Sequence, residues 1–521
     1  MRVSMGHRDR QRSAPGARFI TFFVFAGLVV TTLLRGPTLV AAPASELVVV
    51  QGLDPDTLDP HNTVQASLNV STLIAEPLLA VSYEKGVSLD PVLATSWRVR
   101  GAKIWQFQLR EGVRFTNNEE FTAETVKWNI ERINDPAERK TLRAYTQVIE
   151  RVEPVGKYTV NFITREAFPS FPIYLSRIPM LPHLWAQKNP SLIARSPVGT
   201  GPYRFVEWVR DERVVLASNP NYWGEKPRIS RVVFIPLPDA AARSAALRSG
   251  RADIVTNLSV SDALSLQSGG QPGVSAVTVP SLRVIYVTLD QIHEGTPTQN
   301  LKLRQAMNYA VDKEGIIRTV LRGFGIKLEG QPITSQYGIG FNPSVKAYPY
   351  DPARARQLIE ESGLKDVRLT FYSPVGRYLM DKEIAEVVAA QLQAVGLKID
   401  LRVQEWGVFL GGWRTKKVSP MALIGIATFP ESTAMLAVHT TDNPQSWYAN
   451  PAYDVLIESA TWEFDERKRQ SYLQRAAETL NKDAVVLYLH QQVDLYGVSS
   501  RVAGWKPRPD EKIDLTGMRL R

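Results

Sequence analysis

Apolar and polar positions change their period several times along the chain, and each change predicts an element. Residues 46–51 (ELVVVQ) form a short apolar run, as a buried strand does. They lead into the turn-rich stretch Asp54-Pro55-Asp56-Thr57-Leu58-Asp59-Pro60-His61. Residues 105–109 (WQFQL) and 158–163 alternate with period two, the pattern of half-buried strands. Thr122 is placed to cap a helix with Val126, Ile130 and Ile133 on one stripe. The second half is more regular. Residues 304–312 and 313–321 read as a helix pair closing at Gly323. Asp351-Pro352 starts another helix, with Gly363 past its end. Then come a strand over 367–372, an amphipathic helix over 381–394 stopped by Gly396, and a strand over 398–403. In that last strand Ile399, Leu401 and Val403 face one way. Strand, helix and strand in so short a span require a parallel crossover. The expected class is mixed α/β.

A chain of 521 residues is too long for one core, which stops growing at roughly 250–300 residues. No repeat and no low-complexity linker is visible, so two lobes joined by strands are expected rather than two tethered domains. The N-terminus reads as an address. Arginines up to Arg18 precede an apolar stretch over 19–34, followed by the small-residue site Ala42-Pro43-Ala44. This is the layout of a secretory signal peptide over residues 1–44, with cleavage before Ser45. The apolar stretch is shorter than the ~20 residues of a spanning helix, and no adjacent arginine pair precedes it. Cysteine is absent. That excludes disulfides, cysteine-ligated zinc, a thiol nucleophile and a lipid-modified cysteine. The expected location is the periplasm of a double-membraned bacterium, without a lipid anchor.

The formal charge of +10 does not imply nucleic acid. Residues 1–44 carry Arg2, Arg8, Arg10, Arg12, Arg18 and Arg35 against Asp9 alone, half of the total. Elsewhere lysine and arginine are interleaved with acids, the pattern of a solvated mixed-charge surface. The pieces an enzyme requires are missing: there is no G-x-S-x-G elbow, H-E-x-x-H, P-loop or complete G-x-G-x-x-G. His61, His183, His293, His439 and His490 are scattered. Neither an enzyme, a metal site nor a cofactor is expected.

Several blocks together resemble the extracytoplasmic solute-binding proteins of peptide-type ABC importers, family 5. They begin with Leu58-Asp59-Pro60-His61, Glu76-Pro77-Leu78-Leu79, Pro91 to Trp97 and Trp105 to Phe115. Val198-Gly199-Thr200-Gly201-Pro202-Tyr203, Asn221-Tyr222-Trp223-Gly224 and Leu247 to Ile254 follow. Leu303 to Asp312 and Tyr350-Asp351-Pro352 complete the series. Each also has a structural reading: Trp97, Trp105 and Trp223 as core anchors, and Gly199 and Gly201 as a turn needing positive φ or close approach.

The resemblance implies a bilobal periplasmic-binding-protein clamshell of class II with an extra subdomain in the first lobe. It places the first lobe at 45–78, 197–289 and 490–521, the subdomain at 79–196 and the second lobe at 290–489. Crossings are expected near Asp290 and His490. The implied function is capture of a peptide or peptide-like solute, by a monomer, for delivery to permease subunits in the inner membrane. An opine-like conjugate, an oligosaccharide and a sensor partner are the alternatives.

By the same resemblance the ligand-binding positions are Val64, Gln65, Ala66, Tyr145, Tyr286, Trp406, Arg414, Thr428 and Glu431. Trp406 is an aromatic cleft wall or a core residue, and Arg414 a cation for a carboxylate or a solvated loop charge. One departure stands out. Peptide binders of this kind present an aspartate to the ligand's α-amino group in a stretch like Gly-Trp-x-x-Asp-Tyr-x-x-Pro. Here the chain reads Gly425-Ile426-Ala427-Thr428-Phe429-Pro430-Glu431-Ser432. Thr428 or Glu431 would have to substitute, and a buried ammonium without a carboxylate is costly. A blocked, cyclic or conjugated ligand gains weight.

Overall fold

The computed structural model describes residues 45–62, 65–84, 86–427 and 429–521; the signal peptide expected over 1–44 lies outside them. Among these residues an eleven-stranded sheet runs through the protein. Its order is Lys398–Glu405, Arg368–Val375, Met421–Ile426, Val274–Leu289, Val486–Ser499, Ile254–Val255, Glu46–Gln51, Arg231–Pro236, Arg213–Ser218 and Tyr203–Val209. Gly325–Lys327 pairs separately with Val486–Ser499.

Two strands span both halves of this sheet. Val274–Leu289 and Val486–Ser499 are antiparallel neighbours. At one end they sit beside Ile254–Val255 and the first-half strands, at the other beside Met421–Ile426. Their register slips between Pro280 and Val284 and again between Ile285 and Tyr286. Such bulges leave backbone groups unpaired, and side chains take them up. Gln491 Nε2 donates to the Ser281 carbonyl at 2.7 Å, the Tyr337 hydroxyl to Leu282 at 3.0 Å and Gln336 Nε2 to Pro280 at 3.1 Å. Asp290 lies beyond this bend. It is fully buried, and its carboxylate accepts from the amides of Ile292 and His293.

Four large apolar clusters flank the sheet and its appendage. Two cover opposite faces of the half containing Arg368–Val375 and Met421–Ile426, and one covers the half containing Glu46–Gln51. The fourth belongs to a separate antiparallel sheet of Ala94–Arg100, Ile104–Leu109, Thr159–Thr164 and Ile149–Gly156. There Trp105, Phe107 and Leu109 point inward, as alternation requires. Helix Ala123–Asn134 packs Val126, Ile130 and Ile133 against it.

The crossover unit forms as its periodicity demands. Arg368–Val375 and Lys398–Glu405 are parallel, joined by helix Asp381–Ala394. Lys398–Glu405 is an edge strand, so Ile399 and Leu401 are only half-buried and Val403 is 38 % exposed. Asp351 caps Pro352–Glu361 by accepting the Arg354 amide at 2.9 Å. Asp312 caps Lys313–Thr319 through the Gly315 amide at 2.8 Å.

The early blocks meet in space. Glu76 is buried and accepts from the Tyr222 hydroxyl at 2.6 Å, the Thr200 hydroxyl at 2.8 Å and Trp223 Nε1 at 2.9 Å. Gly199 and Gly201 lie against the end of helix Gln65–Ile74. A Cβ on Gly199 would stand 1.9 Å from the Ile74 carbonyl oxygen, and one on Gly201 2.5 Å from that of Leu73. Close approach, not positive φ, is what these glycines supply.

Candidate functional site

Two faces of the molecule meet beside the double-strand bend. From the antiparallel-sheet region come Tyr145, Ser170 and Tyr174; from the opposite half come Phe429, Glu431 and Arg469. The Phe429 ring stands edge-on to Tyr145 at 5.4 Å and to Tyr174 at 4.8 Å. Ser170 Oγ donates to Glu431 Oε1 at 3.0 Å, and Arg469 pairs with the same carboxylate. Arg469 also donates to Thr433 Oγ1 at 3.0 Å. Glu431 Oε2 accepts the Ala434 amide, capping the short helix Ser432–Leu436. Its charge is thus answered within the protein.

Deeper in the same half, Arg377 sits on a turn closing strand Arg368–Val375. Gly376 turns the chain with φ of 75°. The Asp381 carboxylate then accepts the amides of Gly376 at 3.0 Å, Arg377 at 2.8 Å and Tyr378 at 3.0 Å. Arg377 is held with its guanidinium 5.2 Å from the Trp406 ring centre and 5.3 Å from that of Tyr378. Trp406 is half-buried, edge-on to Tyr378 at 6.0 Å and stacked on Phe409 at 6.0 Å. Glu405 fixes it by accepting the amides of Gly407 at 2.7 Å and Val408 at 3.2 Å at the start of helix Trp406–Arg414. Gly425 makes room: a Cβ there would lie 2.6 Å from the Tyr378 ring.

Among the described residues no carboxylate lies within ion-pair distance of Arg377. Burial, and then the neighbouring Arg283, push its pKa below the ordinary guanidinium value. Arg283 itself, on the bend, is paired with Glu511 at 2.7 Å. Although burial works against its charge, Glu511 holds its pKa above the ordinary value. Asp494, on the neighbouring strand, is pushed up to about 7 by burial, with the Glu511 charge adding.

The expected ligand positions fall in several environments. Val64 and Thr428 lie outside the described residues. Gln65 and Ala66 form the first turn of helix Gln65–Ile74. Tyr145 and Glu431 are brought to the same contact between the antiparallel-sheet region and the opposite half. Tyr286 is 1 % exposed within the core, its ring 5.8 Å from His439. Arg414 is exposed at the far end of the helix that Trp406 begins, about 12 Å along its axis. The guanidinium beside Trp406 is that of Arg377. Its signal was its place just past the carboxyl end of a parallel strand, where open α/β sheets bind ligands.

Comparison with known proteins agrees with this architecture. The family model for bacterial extracellular solute-binding proteins, family 5, matches residues 88–447. A glutathione-binding protein of Pectobacterium atrosepticum is 26% identical over 517 residues, covering 92% of this chain and 96% of that one. A dipeptide-binding protein of Pseudomonas aeruginosa is 26% identical over 517 residues, covering 89% and 93%. The structure of a periplasmic binding protein from Helicobacter pylori in complex with the peptide STSA superposes with a TM-score of 0.79. It is 24% identical and covers 91% of this chain and 98% of that one. Among the described residues no helix is long and apolar enough to cross a membrane. With the fold bilobal and the model matched over most of its length, the chain belongs to the family 5 bacterial extracellular solute-binding proteins.

Proposed function

We propose that this chain captures an anionic peptide or peptide-like solute between its lobes and delivers it to an ABC importer. The observation that carries the ligand class is Arg377, a half-buried cation between two aromatic rings with no carboxylate of the described residues within ion-pair distance. A ligand carboxylate completes that arrangement through charge-assisted hydrogen bonds. The peptide class draws support from the relatives named for glutathione and dipeptides. Glu431 does not serve as partner for a ligand ammonium, because Arg469, Ser170 and the Ala434 amide already occupy it. The ligand is therefore amino-blocked, cyclic or a conjugate, and an opine-like molecule fits this description better than a neutral oligosaccharide. Titration calorimetry with short peptides tests this. N-acetylation is expected to preserve or improve binding, and C-terminal amidation to weaken it about tenfold or more. Loss of binding on acetylation, with amidation harmless, overturns it.

The same reading includes export through the signal peptide over 1–44, with an unlipidated monomer beginning at Ser45 in the periplasm, and binding without turnover. N-terminal sequencing of the periplasmic fraction checks the first part. An intact Met1 in the membrane fraction contradicts it. The lobes divide at the bend of the two long strands, near 280–284 and 491–493, with the subdomain over 79–196 riding on the first. Contraction of the radius of gyration on ligand addition tests that division.

A further inference from the structure

The first lobe holds a cavity of about 310 Å³ that neither Trp406 nor Arg377 lines. Helix Gln65–Ile74 contributes Leu73 to the lining, the C-terminal segment Ile513 and Met518, and Pro77 and Pro179 line it as well. These walls offer water few hydrogen bonds, so an apolar body gains by displacing it. Part of the lining is different. Arg177, Arg508 and Lys512 contribute to it, and all three act on the buried carboxylate of Asp510. Arg508 occupies it with bonds of 2.8 and 2.9 Å, while Lys512 Nζ stands off at 4.0 Å. Arg177 makes no ion pair among the described residues and rests 5.8 Å over the Tyr145 ring. Asp514 is half-exposed, 3.6 Å from Arg508. Two other carboxylates line the cavity: Glu76, saturated by Tyr222, Trp223 and Thr200, and the exposed Glu225, paired with Arg228 at 3.5 Å. Three cations thus share two carboxylates, Asp510 and Asp514, in the lining of a largely apolar chamber.

We propose that this cavity is a second ligand site, taking a small amphiphilic carboxylate whose apolar body fills the chamber and whose head meets Lys512 and Arg177. At about 30 Å³ for each water-sized group the chamber takes a body of roughly ten heavy atoms, which makes octanoate a suitable probe. The purified protein is titrated with octanoate, octanol and octylamine. Octanoate is expected to bind at least about tenfold more tightly than the other two. Thr72→Trp, which fills the chamber from a half-buried lining position, and Lys512→Met should each weaken octanoate about tenfold or more. Trp406→Ala, in the opposite lobe, should leave octanoate affinity unchanged. Octanol binding as well as octanoate, indifference of octanoate to Thr72→Trp, or its loss in Trp406→Ala each overturns the proposal. Circular dichroism confirms that each variant is folded. If Lys512→Met is not, Arg177→Gln replaces it with the same expectation.

Discussion

Asp59 and Arg377 are both charges taken largely out of water, and their surroundings are opposite. Asp59 is met by Arg132 at 2.7 Å and Lys140 at 3.0 Å, all three side chains at most 8 % exposed. Arg132 also donates to His61 Nδ1 at 2.8 Å, and His61 Nε2 to the Pro179 carbonyl at 2.9 Å. That network fastens the Leu58-to-His61 block to helix Ala123–Asn134 and the subdomain behind it. Arg377 is met by two aromatic faces and another cation, with Glu511 and Asp381 acting on it only from beyond ion-pair distance. A buried charge whose partners are all internal is committed to architecture. One whose partner is missing from the protein is available to a ligand.

The sharpest way to break this contrast is to remove one partner from the saturated site. Asp59→Asn should cost about 3 kcal/mol of stability, because it leaves the buried Arg132 and Lys140 with only the more exposed Glu138, at 3.8 and 2.9 Å. Ligand affinity of the folded fraction should not change. Denaturant melts with calorimetry on the same sample check both. Acid probes the same network through His61, whose pKa is pushed down to about 4 by burial and then by Arg132, against the opposing pull of Asp59. Between pH 6.5 and 4 the unfolded chain then binds a proton that the folded one refuses. Stability from His61 is full above pH 6.5 and falls by up to about 3 kcal/mol as pH drops toward 4. His61→Gln should flatten part of that slope in melts taken across the window.

The unsaturated site should respond in the other quantity. Trp406→Ala is expected to weaken ligand binding by about 2–3 kcal/mol, the loss of an aromatic anchor, with a smaller drop in stability because the ring is already half wet. Arg377→Gln should weaken an anionic ligand by about 1.5–3 kcal/mol and leave stability level or slightly raised. A fall in melting temperature with binding intact would move either residue into the architecture. The smallest effect is expected at the contact between Ser170 and Glu431. Ser170→Ala removes one hydrogen bond to Glu431, worth about 1 kcal/mol, and should appear as a modestly faster ligand off-rate.

What the sequence revealed and what it hid divide along the same physical line. Helix Asp381–Ala394 and its two flanking strands were legible because periodicity within a short span is a local property. The family blocks were legible as a series but not as an assembly. Nothing in the order of residues says that Thr200, Tyr222 and Trp223 close on Glu76 from more than a hundred residues away. Tyr286 was expected at the cleft, yet its strand is buried without a break from Ser281 to Leu289, so no alternation marks which face meets ligand. Arg377 does not stand out in the sequence because its setting is made by rings at Tyr378 and Trp406. Adjacency to a tryptophan 29 positions away becomes visible only when the parallel strands bring their ends together.

The bulged bend in the paired long strands has a thermodynamic consequence. Two lobes on a flexible tether sample a large volume of mutual orientations, and capture must suppress nearly all of them. Two adjacent strands bent at one level, with the freed carbonyls of Pro280, Ser281 and Leu282 held by Gln336, Gln491 and Tyr337, leave a narrow arc. Most of the orientational entropy is surrendered when the chain folds, before any solute arrives. Closing on a small molecule then costs little, so a few well-placed contacts suffice for tight binding.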